Sequence, residues 1–305
     1  MALYVANELF DKGLFAGSSC AFGVFDGLHE GHRYLVGQAV ATKQPAGRSI
    51  VLTFDIDPDE VFHPDRLKKL SRNGDRLEAL VQAGVDDVVV LPFTEPLYTL
   101  SPEAFLAETF SAGAPAHLHV GEDFRFGARA AGTVATLQDW GAQTGCQVHP
   151  HALISADGRP ITATRIRMLL QDCKLAEANR LLGHCYTLSE TVHRGRGDGA
   201  EFGFATANLQ VKPRDRVLGD GVYAAYAVVD GARYKAAVSV GVSPTFEAAS
   251  TANVEVHVLD YEGDLVGRII TVEFVEHLRP MIKFESTEEL IATVTANIQW
   301  VRDNL

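Results

Sequence analysis

Gly23-Val24-Phe25-Asp26-Gly27-Leu28-His29-Glu30-Gly31-His32 is the stretch on which the reading of this 305-residue chain turns. A short apolar run over 20–24 leads into it, and a helix-like run over 33–40 leads out. A strand, a glycine turn and a helix opening form an anion site, because free N–H groups and the helix dipole favour phosphate there. His29 and His32 are three residues apart, a spacing that lets both imidazoles point at one phosphate. Alone, such a pair also fits core or surface histidines at a helix start. The glycines and the preceding strand favour the phosphate reading.

Outward from this turn the pattern alternates. Strand-like runs lie at 49–53, 87–91, 116–120 and 147–153, and helix-like runs at 31–41, 73–83, 102–109 and 133–144. Alternation at this spacing implies an α/β fold with a parallel sheet and helices on both faces. Ligands of such sheets bind beyond the carboxyl ends of the strands. The loop over 121–127 also follows a strand and is expected at that edge. A helical pair at 164–171 and 175–182 closes this half, with Gly183 as the C-cap.

From 186 to 274 the character changes to short strands and turns. Runs at 222–229 and 234–240 flank Asp230-Gly231, a hairpin signal, and runs at 254–261 and 269–274 flank a turn near Gly263. This predicts a small antiparallel β-barrel. Leu290, Ile291, Val294, Ile298 and Val301 give the final segment helical amphipathicity, so a C-terminal helix packs on the barrel. The boundary is expected near 183–187, giving domains 1–184 and 185–305.

Bulk properties exclude several classes. The chain is 47% hydrophobic and 22% charged, with a net charge of −12. That balance argues against a nucleic-acid partner, which calls for a basic face. No apolar run approaches membrane-spanning length, and the first ten residues lack a signal-peptide pattern. Cys20, Cys146, Cys173 and Cys185 form no zinc spacing, so reduced thiols and a cytoplasmic location are expected.

Seven segments carry a resemblance. They are Gly23–His32, Thr53-Phe54-Asp55, Gly121-Glu122-Asp123-Phe124-Arg125-Phe126-Gly127, Thr164-Arg165-Ile166-Arg167, Glu177-Ala178-Asn179-Arg180-Leu181-Leu182-Gly183, Gly203-Phe204-Ala205-Thr206-Ala207-Asn208-Leu209 and Pro244-Thr245-Phe246. In this order the set resembles the bacterial bifunctional riboflavin kinase/FAD synthetases along nearly the whole chain. The resemblance implies a Rossmann-like nucleotidyltransferase domain followed by a riboflavin-kinase-type barrel. It implies two reactions: riboflavin is phosphorylated to FMN, and AMP is then transferred from ATP to FMN, giving FAD and pyrophosphate. Mg²⁺ and ATP are implied with the flavins as small-molecule partners. The oligomeric state stays open between monomer and weak homo-oligomer.

By the same resemblance, His29 and His32 donate to phosphate oxygens, with Gly23, Phe25, Asp26 and Gly31 in the ATP-binding turn. Thr164, Arg165 and Arg167 match a second phosphate-binding segment, where a forked, permanent cation suits departing pyrophosphate. Asp123, Phe124, Arg125 and Phe126 match a loop lining the flavin site. In the second half, Gly195, Gly197 and Gly199 form a glycine-rich loop, and no Gly-Lys dipeptide of a Walker loop occurs. Thr206 and Asn208 are expected to orient Mg²⁺ and ATP phosphates. Glu255 matches the catalytic glutamate that accepts the ribityl 5′-hydroxyl proton.

The chain departs from the family in places. Asp57 stands where a histidine is usual, and a carboxylate there repels phosphate unless Mg²⁺ bridges. Ala163 replaces a hydroxyl before Thr164. Ala205 replaces a proline, which is expected to leave its loop looser. Glu201 lies where an arginine or glycine is common, and Met281 where many relatives have glutamate. These departures motivate a rival reading: FMN adenylyl transfer only, with a degenerate kinase domain acting as a flavin-binding or scaffolding module. His117 with His119, and His149 with His151, alternate along strands and are given no site. His257 is expected on the strand face opposite Glu255.

Overall fold

The computed structural model describes residues 2–6, 11–65, 67–195, 204–211, 217–241 and 253–305. Gly197, Gly199, Glu201, Gly203 and Pro244-Thr245-Phe246 lie outside the described residues. The chain divides into two units, one of Met1–Pro64 with Asn73–Thr162, the other of Asp65–Arg72 with Ala163–Leu305.

The first unit is built on six strands: β1 Ala2–Val5, β2 Ser19–Phe22, β3 Ser49–Phe54, β4 Asp87–Leu91, β5 His117–Gly121 and β6 Gln147–His151. All pair in parallel, in the order β1-β4-β3-β2-β5-β6. Its helices are α1 Glu30–Thr42, α2 Pro58–Phe62, α3 Asn73–Val81, α4 Glu95–Tyr98, α5 Pro102–Thr109 and α6 Val134–Thr144. Side chains alternate across the pleat. Cys20 and Phe22 pack with Phe105, Leu106 and Leu137 on one face, while Ala21 packs with Leu35, Val36 and Leu80 on the other. The strand order reverses between β2 and β5. That switch point is where an open parallel sheet leaves a crevice beyond its carboxyl ends. A short hairpin follows, β7 Ser155–Ala156 and β8 Arg159–Pro160.

The second unit holds α7 Ala163–Gln171 and α8 Leu175–Leu182, then β9 Tyr186–His193, β10 Ala207–Gln210, β11 Gly221–Val229, β12 Ala232–Val240, β13 Asn253–Val258 and β14 Ile269–Arg279, and finally α9 Thr287–Asn304. The six strands close an antiparallel barrel. The β11–β12 turn places Asp230 at φ 50° and Gly231 at φ 81°, the left-handed pair that Asp-Gly supplies at low cost.

Helices α7 and α8 fall with the barrel, ahead of the expected division at 184/185. The reason is local. Leu175, Ala178, Leu181 and Leu182 are buried along one face of α8. Asn179 Nδ2 donates to the Phe274 carbonyl (2.9 Å), and its Oδ1 accepts from Tyr186 N–H (2.8 Å). Gly183 caps α8 at φ 74°. Residues 65–72 also join this unit, with Arg72 Nη1 donating to the Ser189 carbonyl at 2.6 Å.

Candidate active centres of the two units

The turn after β2 is tight. Phe25, Gly27 and Leu28 have φ of 62°, 72° and 38°. His29 sits just outside α1 as its N-cap, and its Nδ1 accepts from His32 N–H at 3.3 Å. An accepting Nδ1 puts the proton of a neutral imidazole on Nε2. The rings of His29 and His32 stack with centroids 3.6 Å apart and 16° between planes. A Cβ at Gly31 would lie 3.2 Å from the His29 ring, so glycine leaves room for that ring. Burial holds His32 well below the usual histidine pKa, and His29 and Arg76 lower it further. A neutral His32 ring beside His29 at the opening of a helix leaves N–H donors for an anion without a repulsive charge pair.

The neighbouring residues fall into place unevenly. The Phe25 ring is core, 1% exposed, and packs edge-on to His32 at 5.3 Å, so its contribution to the turn is through its backbone. Asp26 is buried. A Cβ at Gly23 would press on the Phe25 ring at 3.1 Å. Asp123 and Arg125 are exposed on the loop after β5, on the other side of the switch point. Phe124 is half-buried against Phe22, at 4.8 Å, while Phe126 is buried and packs on Phe105 at 5.7 Å. Thr164, Arg165 and Arg167 begin α7, in the second unit, where Thr164 is exposed and both arginines are half-buried around the buried Ile166.

Asp57, expected only as a phosphate-repelling departure from the family, has a structural role. Its Oδ1 accepts from Asp59 N–H at 2.9 Å, while Glu60 Oε1 accepts from Asp57 N–H at 3.2 Å. This is a capping box on α2, read from Asp-x-x-Glu.

In the second unit, Asn208 on β10 lies directly opposite Glu255 on β13. Asn208 Nδ2 donates to the Thr206 carbonyl at 3.3 Å. A Cβ at Gly195 would come 2.1 Å from Asn208 Nδ2, so the glycine-rich loop begins in close contact with this amide. Gly195, Thr206, Asn208 and Glu255 are therefore brought together. Val254, Val256 and Val258 are buried, and Glu255 and His257 alternate with them, half-buried. The expectation that His257 faces away from Glu255 is corrected: residues two apart on a strand share a face. His257 Nδ1 donates to the Ala205 carbonyl at 2.9 Å, so the residue that replaces proline is tethered to β13.

The magnesium expectation is compatible with these groups. Hard oxygen donors suit Mg²⁺, which keeps several waters and takes one or two protein oxygens beside substrate phosphates. The Thr206 hydroxyl and Asn208 Oδ1 are such donors. Among the described residues, no group of three or more His, Cys, Asp or Glu could hold a metal ion.

Two features escaped the sequence reading. His119 on β5 is directly opposite His149 on β6. His117 Nδ1 lies 3.1 Å from His149 Nε2, and His119 Nδ1 lies 2.9 Å from His151 Nε2. Thr42 Oγ1 reaches His119 Nε2 at 2.7 Å. The four histidines thus form one ladder, where alternation on separate strands was expected. Burial lowers His119 to about 3, with His149, His151 and His117 adding to the shift. The second feature is Arg76, a charged residue only 2% exposed.

Comparison with known proteins finds family models for both halves of the chain. A family model described as FAD synthetase matches residues 13–165, and one described as riboflavin kinase matches residues 182–305. A bifunctional riboflavin kinase/FMN adenylyltransferase of Listeria monocytogenes is 33% identical over 288 residues, covering 92% of this chain and 90% of the relative. The Escherichia coli K12 protein of the same description is 33% identical, covering 91% and 90%. The Pseudomonas fluorescens one is 32% identical, covering 94% and 92%. A solved structure described as a macrolide-efflux protein from Streptococcus pneumoniae superposes with a TM-score of 0.82 at 28% identity, covering 95% of both chains. Among the described residues, no helix is long and apolar enough to cross a membrane.

Proposed function

The chain belongs to the bifunctional riboflavin kinase/FMN adenylyltransferase family, and from that premise we infer that it makes FMN from riboflavin and FAD from FMN, using ATP and Mg²⁺ for both steps. The observation that carries this reading is the survival of two centres in one chain: the stacked His29–His32 pair and the Asn208–Glu255 cross-strand pair. We assign adenylyl transfer to residues 1–184 and phosphoryl transfer to 185–305. Four free thiols support a cytoplasmic setting.

In adenylyl transfer, a phosphate oxygen of FMN attacks the α-phosphorus of ATP and pyrophosphate leaves. Charge gathers on the α-phosphoryl oxygens and on the leaving group, so catalysis is positioning plus charge stabilisation. His29 and His32 donate to phosphate oxygens, and the N–H groups at the opening of α1 add fixed dipole. One of those N–H groups, that of His32, is turned to His29 Nδ1 and orients the ring. Arg165 and Arg167 hold departing pyrophosphate. Asp123, Phe124, Arg125 and Phe126 shape the flavin side of the crevice.

In phosphoryl transfer, Glu255 accepts the proton of the ribityl 5′-hydroxyl as that oxygen attacks the γ-phosphate. Thr206 and Asn208 would hold Mg²⁺, which neutralises phosphate charge when bound. Gly195 lets the phosphate loop approach Asn208 closely. The tether from His257 to the Ala205 carbonyl favours a working kinase over the adenylyltransferase-only reading, because it restrains the loop that lacks proline. The test is Glu255→Gln. It should abolish FMN formation and leave FAD formation from supplied FMN intact. Undiminished FMN formation would remove Glu255 from the reaction.

A further inference from the structure

We propose that Arg76 is a positioning residue for adenylyl transfer: its buried guanidinium clamps the carboxyl ends of β2 and β3 and so sets the turn that presents His29 and His32. The proposal rests on the reading of that pair as the adenylyl-transfer centre.

A guanidinium is almost never fully buried unless its donors and its charge are compensated. Arg76 Nη1 donates to the Val24 carbonyl at 2.7 Å and to Thr53 Oγ1 at 2.8 Å. Nη2 donates to the Phe54 carbonyl at 2.7 Å and to the Asp55 carbonyl at 3.2 Å. Thr53 Oγ1 in turn donates to the Val24 carbonyl at 3.3 Å. Val24, Phe54 and Asp55 lie where the two strands run out at the ligand edge of the sheet. Asp55 extends the clamp, its Oδ1 accepting from Phe93 N–H at 2.8 Å beyond the end of β4.

Val24 immediately precedes the turn. From Phe25 to Leu28 the chain holds three residues at positive φ, two of them not glycine. Such backbone persists only where its surroundings over-determine it. The fixed carbonyl of Val24 is the anchor on the strand side, and the His29 cap of α1 is the anchor on the helix side. A change at the first displaces the imidazoles.

Charge supplies a second effect. Asp26, Asp57, Glu60 and Asp55 surround the guanidinium and offset the cost of its burial. His29 and His32 face the same turn, and the positive charge of Arg76 helps to keep His32 neutral. Arginine suits the clamp because its planar fork reaches several acceptors at once. A lysine offers three donors from a single point.

The test uses the full-length chain with Arg76→Gln, Arg76→Lys and Thr53→Val. FAD formation from FMN, FMN formation from riboflavin, the pH profile and the melting temperature are measured together. Arg76→Gln should lower kcat for FAD formation by about 10- to 100-fold, the scale of a misplaced catalytic group, while FMN formation is unchanged. Its acid limb should move to higher pH as His32 loses a cationic neighbour. Arg76→Lys should restore the pH profile without restoring kcat, and Thr53→Val should lower kcat with the profile in place. Folded Arg76→Gln with unaltered kcat and pH profile would overturn the proposal. Should that variant not fold, unaltered kcat in both Arg76→Lys and Thr53→Val would do the same. An unmodified chain that makes no FAD from FMN sinks the reading of the histidine pair and the proposal with it. An active chain indifferent to these three changes sinks the proposal alone.

Discussion

The imidazole rings of His29 and His32 lie face to face, 3.6 Å between centroids, with the backbone N–H of His32 donating to Nδ1 of His29. The arrangement ties the tautomer of one ring to the helix start of the other. It also disfavours protonation, since two cations at this separation repel strongly in a partly buried site.

Replacing either histidine with alanine should therefore remove FAD formation from FMN and spare FMN formation from riboflavin. Initial rates with each substrate, flavins resolved by chromatography, decide it. Equal loss of both activities would refute the division into two centres.

Gly195 gives the mirror-image experiment. A methyl group there collides with the Asn208 amide, which must move. Gly195→Ala should depress FMN formation about tenfold or more by misplacing Asn208, and leave FAD formation from FMN untouched. Normal riboflavin turnover in this variant would detach Asn208 from the reaction.

The histidine ladder predicts how stability depends on pH. His119, His149 and His151 all titrate below their usual value, each chiefly through burial. The unfolded chain therefore takes up these protons first. The contribution is whole above about pH 6.5, the ordinary histidine value. It is lost as pH falls from there toward about 3, the value of His119. Each extra proton bound by the unfolded state costs about 1.4 kcal/mol per pH unit. Urea midpoints from pH 7.5 down to 5 should fall steeply, and less steeply in His119→Asn. Parallel slopes would mean that the ladder carries no such linkage.

The packing of α8 bears on where the second half can be cut. A fragment beginning at 185 loses the burial of Leu175, Leu181 and Leu182, each side chain worth about 1.5–3 kcal/mol. It also loses both hydrogen bonds of Asn179. Residues 163–305 should melt well above residues 185–305, although the phosphoryl-transfer centre is assigned entirely within the shorter piece. Equal melting temperatures would mean that α7 and α8 are dispensable to the barrel.

Much of this was legible in the sequence because the signals are local. The bounds of β4 and α5, the Asp230-Gly231 turn and the Gly183 cap follow from periodicity and turn chemistry. What was missed depends on neighbours distant in sequence. The ladder needs the register that sets His119 opposite His149 across two parallel strands, which alternation within each strand does not supply. Arg76 reads as a solvent-facing charge on a short amphipathic helix, and only the unpaired carbonyls at the strand ends draw it inward. β1 is a four-residue edge strand, Ala2-Leu3-Tyr4-Val5, apolar throughout yet mostly exposed, with no alternation to mark it as a strand. His257 and the Asp57 cap are different cases. The two-residue period and the Asp-x-x-Glu spacing were in the sequence, and both give the observed answer when applied.

The most direct test of two activities in one chain is product analysis. The full-length protein, freed of bound flavin, is given MgATP with riboflavin or with FMN, and the flavins are followed over time by chromatography. The account predicts FMN and then FAD from riboflavin, and FAD from FMN. Riboflavin recovered unchanged while FMN is converted would contradict it and leave an adenylyltransferase carrying a silent barrel.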